Sequence, residues 1–203
     1  MSAKVYVEGG GDNKATQTRC RQGFSEFFRK AGLEGHMPGI VAGGGRQQAF
    51  DLFRKALKNA DSDKFVVLLV DAEDSVAEGN GVWNHLECRE GWDRPPGADE
   101  ENSHLMVQCM ESWFLADKEV LAAFFGGELK TNALPANASI EEISKQDVLQ
   151  GLKNATRECE KKGKYGKGRH SFEILALLDP ERVINASPHA ERLIHALRRR
   201  VEN

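Results

Sequence analysis

The sequence is poor in the features that most directly announce a function. Four cysteines, Cys20, Cys88, Cys109 and Cys159, are scattered without a CxxC pair. That usage excludes a disulfide framework and suits a reducing cytosol. No segment approaches the roughly 18 consecutive apolar residues of a membrane span. Met1-Ser-Ala-Lys4 runs directly into a strand pattern, so neither a signal peptide nor a membrane partner is expected and the chain reads as cytoplasmic. Neither charge sign dominates: 28 Lys and Arg face 31 Asp and Glu, for a net charge of −3. Any nucleic-acid contact must therefore come from a local cluster rather than from the sum. The six histidines form no ligand pattern, since His85-Leu-Glu-Cys88 has no second half nearby. The P-loop, the GxGxxG fingerprint and the GxSxG elbow are all missing, which removes the corresponding nucleotide-binding and covalent-hydrolase readings. Tyr6 lies inside a strand and Tyr165 in a basic loop, so neither suits a topoisomerase-type nucleophile.

What is present is an α/β pattern. With 203 residues, 40% of them hydrophobic, the chain can bury a proper core without staples. Residues 4–8 read as a strand, with Gly9–Gly11 as its turn. A helix from about Asp12 carries Phe24, Phe27, Phe28 and Ala31 at helical spacing, and Gly32 and Gly35 end it. A short strand over 36–42 and an amphipathic helix opened by Gly43-Gly-Gly45, with Ala49, Phe50, Phe53, Ala56 and Leu57 on one face, come next. Phe65–Val70 is a non-alternating apolar run, the mark of a strand buried on both faces. Residues 75–102 read as a helical insertion with an exposed loop, and 103–110 as a fourth strand. Helices alone follow, over 118–125, 140–162, 171–178 and 188–201. The order predicts one domain over 1–203: a mainly parallel four-stranded sheet flanked by helices (core 1–117) with a helical C-terminal extension (118–203).

The strands end in acids. Phe65–Val70 runs into Asp71-Ala-Glu73-Asp74, and Lys4–Glu8 runs into Gly9-Gly-Gly11-Asp12. In an open α/β sheet, ligands bind beyond the carboxyl ends of the strands. Glu8, Asp12, Asp71, Glu73 and Asp74 are therefore candidate ligands for Mg2+ or Mn2+, which want hard oxygen donors. Two such ions suit phosphodiester cleavage. Any one of these acids also reads as a solvated strand end or a helix N-cap.

Strand-Glu8-Gly-Gly-Gly-Asp12 and strand-Asp71-Ala-Glu73 resemble the Toprim domain of topoisomerases, primases and overcoming-lysogenization-defect nucleases, with Glu-Gly-x-x-Asp nearest the nuclease branch. More narrowly, Val7-Glu8-Gly, Gly44-Gly-Arg46, Val70-Asp71-Ala, Met110-Glu111-Ser-Trp-Phe-Leu-Ala-Asp117 and Lys164-Tyr-Gly-Lys167 resemble the Toprim-like domain of unknown function 4276 family. So do the downstream Asp179-Pro and Ser187-Pro steps. The resemblance implies that Glu8 is the general acid/base or first metal ligand and that Asp71 and Glu73 hold the ion. Toprim domains usually carry Asp where Glu73 stands, so Asp74 is an alternative ligand. The resemblance also implies a bacterial defence locus and an ATPase partner subunit.

Three further constellations bear on substrate. Glu111, at the end of the 103–110 strand, either completes a second metal site or opens a helix whose dipole favours an acid. Gly44, Gly45 and Arg46 open a helix and offer an anion nest with a bidentate phosphate donor, or only a glycine turn. Residues 153–170 hold Lys153, Arg157, Lys161, Lys162, Lys164, Lys167 and Arg169 against Glu158 and Glu160. Lys164, Lys167 and Arg169 are thus expected to contact phosphate, the alternative being a solvated face. Trp113 and Phe114 read as core, and Asp117 as a cap. The function expected from the sequence is a Mg2+-dependent nuclease acting on DNA or RNA. A non-catalytic interaction subunit and a small phosphate-ester hydrolase are the alternatives.

Overall fold

The computed structural model describes residues 2–61 and 63–200. Four strands, β1 (Ser2–Gly10), β2 (Gly39–Gly44), β3 (Lys64–Asp71) and β4 (Ser103–Met106), form one sheet in the order β2-β1-β3-β4. Every pairing is parallel, with Val5 opposite Ile40, Val7 opposite Leu69 and Asp71 opposite Met106. From β1 the chain steps outward to β2 and then returns across β1 to β3. The order therefore reverses between β1 and β3, and their carboxyl ends flank a switch-point crevice, the usual ligand site of such sheets.

The strands' alternation sorts the core into two layers. Phe65, Val67 and Leu69 of β3 join Val5 and Val7 on one face, beneath α1 (Lys14–Phe28) with its fully buried Phe24, Phe27 and Phe28. Each such side chain contributes about 1.5–3 kcal/mol of burial. Val66, Leu68 and Val70 face the other way, against Ala49, Phe50 and Phe53 of α2 (Arg46–Lys58) and Val82, Trp83 and Leu86 of α3 (Val82–Glu90). The remaining helices are α4 (Lys118–Phe125), α5 (Lys145–Ala155), α6 (Ser171–Leu177), α7 (Pro180–Ala186) and α8 (Pro188–Arg199). They share the first layer: Leu193, Ile194 and Leu197 of α8 belong to the same buried cluster as Val5 and Leu69.

The departures from expectation have local causes. The sheet is wholly parallel, and β1 extends through Gly9 and Gly10, which were expected to form the turn. The second strand lies at 39–44 rather than 36–42. Regular β4 stops at Met106 instead of 110, because Met110–Ala116 winds into a tight 3-10 helix. The helix expected over 140–162 is only Lys145–Ala155. Ser144 caps its start by accepting from the Asp147 N–H, and Thr156 closes it by hydrogen-bonding Leu152. Helix α7 was not expected, although Asp179 at its N-cap and Pro180 at its first position are a standard start signal. The 75–102 segment is less exposed than expected. Trp92 is buried and stacks on Phe50 at 4.1 Å, and Trp83 Nε1 donates to the Asp99 carbonyl. The expected end of the last helix at 201 lies outside the described residues.

Candidate metal centre

Glu8, near the end of β1, and Asp71, the last residue of β3, stand on neighbouring strands at the switch point, and Glu73 follows two residues on. One carboxylate oxygen from each lies within 4.8 Å of the others. Asp71 is almost fully buried, and Glu8 and Glu73 are partly exposed. Glu73 adopts a left-handed backbone (φ 71°), unusual for a residue with a side chain. It is held there at both ends: its N–H donates to the Gln108 carbonyl, and its carboxylate pairs with Lys145.

Cations enclose the trio. Arg46 Nη1 donates to Glu8 Oε2 at 3.1 Å and also to the Asp71 carbonyl, while Arg46 Nε faces Glu90 Oε1 at 3.1 Å. Its guanidinium lies over the Trp92 ring. Lys145 Nζ bonds Glu73 and lies 3.4 Å from Asp71 Oδ2, and Lys167 Nζ lies 3.4 Å from the same Asp71 oxygen. The Met110 N–H donates to Asp71 Oδ1 at 2.9 Å. Three carboxylates thus meet three cations.

These contacts set the carboxyl pKa values. Burial pushes Asp71 above the usual range, with Lys167 opposing it. Burial, then the Asp71 charge, raises Glu8, and Arg46 pulls it back. Burial acts to raise Glu73 as well, but the Lys145 hydrogen bond and charge prevail and hold it low.

The other expected residues divide. Glu111 is completely buried behind the trio: its Oε1 accepts from Tyr165 Oη at 3.0 Å and Ser171 Oγ at 3.2 Å, and its Oε2 lies 3.6 Å from Lys167 Nζ. Asp12 is exposed and lies on the rim of a cavity of about 430 Å3 that opens beside Glu8, Asp71 and Lys167. Asp74 is exposed and paired with Arg89 at 2.6 Å. Gly44 lines the same cavity, but the Gly45 N–H is taken by its own helix through Gln48 Oε1. Arg46, expected to face phosphate, turns inward onto Glu8 and Glu90. Lys167 reaches the trio, whereas Lys164 and Arg169 stand exposed outside it. Tyr165, placed by its sequence in a basic loop, is buried at 3% exposure.

Lys145 was not foreseen. It is 72 residues from Glu73 and sits at the first position of α5. One signal was available, because a lysine there opposes the helix dipole and so asks for another partner.

The donor set fits a divalent cation: three hard carboxylate oxygens converge, and Mg2+ completes its shell with waters. Among the described residues, no helix is long and apolar enough to cross a membrane. No curated protein and no solved structure matches the chain. Residues 7–198, nearly the whole chain, match the model of the family described as Domain of unknown function (DUF4276), and the chain belongs to that family.

Proposed function

We propose that the chain is a Mg2+- or Mn2+-dependent phosphodiesterase acting on nucleic acid, DNA or RNA. The observation that carries this reading is the convergence of Glu8, Asp71 and Glu73 at the switch point of the parallel sheet, with donor oxygens within 4.8 Å. When bound there, the ion supplies Lewis-acid polarisation of a phosphate oxygen and a more acidic water.

The chain's own residues do the rest. Glu8, Asp71 and Glu73 hold the ion, and Arg46 fixes the Glu8 carboxylate while Met110 fixes that of Asp71. Arg46, Lys145 and Lys167 face five carboxylates, the trio with Glu90 and Glu111, so an added divalent charge neutralises the site and removes its repulsion of a phosphodiester. Lys164 and Arg169, exposed beside Lys167, supply attraction along a phosphate backbone. The likeness of Glu8-Gly-x-x-Asp12 and Asp71-Ala-Glu73 to Toprim nucleases supports the same reading, and with it a place in a bacterial defence locus beside an ATPase subunit.

The charge balance also favours a second reading. Each trio carboxylate already has a protein cation, as in a non-catalytic interaction subunit whose ion pairs are structural.

Calorimetric titration with Mg2+ and Mn2+, run beside DNA and RNA cleavage assays, separates the two. Under the enzyme reading, Glu8→Ala and Asp71→Ala abolish both metal binding and cleavage. The double variant Lys164→Ala/Arg169→Ala keeps metal binding but weakens nucleic-acid binding, with a shallower salt dependence. Metal binding unaffected by the carboxylate substitutions, or absent from the wild type, overturns the enzyme reading in favour of the structural one.

A further inference from the structure

The trio carries its own cation. Lys145 Nζ bonds Glu73 Oε1 and lies 3.4 Å from Asp71 Oδ2, so it stands between two of the three carboxylates assigned to the metal. An ammonium lying between two of these carboxylates competes with a divalent ion for the same space and the same oxygens. The two cations repel one another, and the buried Asp71 leaves little water to screen them. We propose that Lys145 is a tethered placeholder. Its ammonium holds Asp71 and Glu73 together in the metal-free protein, gives way when the cation enters, and then offers its charge to the substrate phosphate. This inference rests on the metal reading above.

The surroundings single out Lys145 as the residue that moves. Arg46 and Lys167 each touch one trio carboxylate, whereas Lys145 touches two. Arg46 is locked by Glu90, the Asp71 carbonyl and the Trp92 ring, and Lys167 is anchored on its far side by Glu111. The Lys145 backbone is pinned where α5 begins, its N–H donating to Gln108 Oε1 at 3.2 Å and Ser144 capping the helix beside it. Displacement therefore needs only rotation of a flexible four-carbon stem, and the freed ammonium stays within side-chain reach of the site. Its position in α5 agrees. A cation in the first turn of a helix works against the dipole, so Lys145 is not placed there to stabilise the helix.

The test is calorimetry on the full chain: Mg2+ and Mn2+ titrated into wild type, Lys145→Met and Lys145→Arg, then inorganic phosphate titrated into each metal-loaded protein. A tethered competitor predicts that Lys145→Met tightens metal binding about tenfold and weakens phosphate binding about tenfold. Lys145→Arg, which keeps the charge, stays near wild type in metal affinity. The exposed Lys55→Met controls for net charge and shifts neither constant more than twofold. Metal affinity unchanged or weakened in Lys145→Met overturns the placeholder role, and unchanged phosphate affinity overturns the second half of it. Wild type that binds metal without tightening in Lys145→Met sinks this inference alone, whereas wild type that binds no metal sinks the metal reading with it. Should Lys145→Met unfold without metal, the metal-induced rise in its melting temperature replaces the first titration. It must exceed the wild-type rise.

Discussion

Arg46 Nη1 stands 3.1 Å from Glu8 Oε2, and the Asp71 N–H reaches the same oxygen at 3.3 Å. The first residue of α2 thus fixes a carboxylate at the end of β1 and, through the Asp71 carbonyl, the end of β3. Arg46 and Glu8 are mostly buried, with side chains 14% and 21% exposed. Arg46 is turned onto Glu8, Glu90 and the Asp71 carbonyl, and so ties the ends of β1 and β3 together.

Arg46→Ala should therefore cost more than a surface charge. Removing one partner of a mostly buried pair leaves Glu8 without its ion pair, whereas Glu90 keeps Arg89 at 3.6 Å; the loss is on the order of 3 kcal/mol. Arg46→Lys recovers only part of it, because a single ammonium cannot serve Glu8, Glu90 and the Asp71 carbonyl together. Urea unfolding of the three proteins reads the stability, and Mn2+ titration reads Glu8 alignment. An Arg46→Lys variant equal to wild type in both would show that Arg46 supplies charge alone.

Glu111 makes the second testable network. Its Oε1 takes hydrogen bonds from Tyr165 and Ser171, while its Oε2 has no hydrogen-bond partner among the described residues and lies 3.6 Å from Lys167 Nζ. A hydrogen bond to a buried charged group is worth about 1.5–3 kcal/mol. Tyr165→Phe should lose an amount of that order. In a double-mutant cycle with Glu111→Gln, the two losses should fall short of additive by about 1 kcal/mol or more. Additive losses in chemical denaturation would mean that the Tyr165 hydroxyl is satisfied by Ser171, 2.8 Å away.

The sequence showed the parts of the site that depend on strand ends. Phe65–Val70 has no alternation, as a strand covered by α1 on one side and α2 on the other must, and the acids after it fall at the carboxyl edge by construction. Glu8, Asp71 and Glu73 were legible for that reason. What was not legible came from tertiary packing. Nothing local says that Arg46 turns from a glycine-rich helix start towards Glu8, 38 positions earlier. Tyr165 read as part of a basic loop because lysines surround it in sequence, yet its hydroxyl is buried against Glu111, 54 positions away. Lys145 was hidden in a helix that read as longer than it is. Asp12 and Asp74 lie just beyond the same strands but are exposed: Asp12 lines the cavity beside Glu8 and Asp71, and Asp74 pairs with Arg89.

Acid stability is set in part away from the candidate metal centre. His104, in β4, is fully buried, its Nε2 3.0 Å from the Glu101 carbonyl and its Nδ1 3.4 Å from Arg192 Nη1. With Nε2 donating, Nδ1 is the nitrogen that would take the second proton, and it faces a guanidinium. Burial first, and then the Arg192 charge, lower the His104 pKa from 6.5 to about 3. The folded state therefore refuses a proton that the unfolded state accepts below pH 6.5. Stability from this group is complete above pH 6.5 and is lost as the pH falls from 6.5 towards 3, with a slope of up to about 1.4 kcal/mol per pH unit. Carboxylates also titrate in this window, so the difference between wild type and His104→Gln isolates the histidine. The variant should be the less stable protein at pH 7.5, having lost the fitted ring, and its unfolding free energy should fall less steeply below pH 6. Urea midpoints that run parallel from pH 7.5 to 4 would show that His104 is protonated in the fold, with Arg192 moved aside to admit the charge.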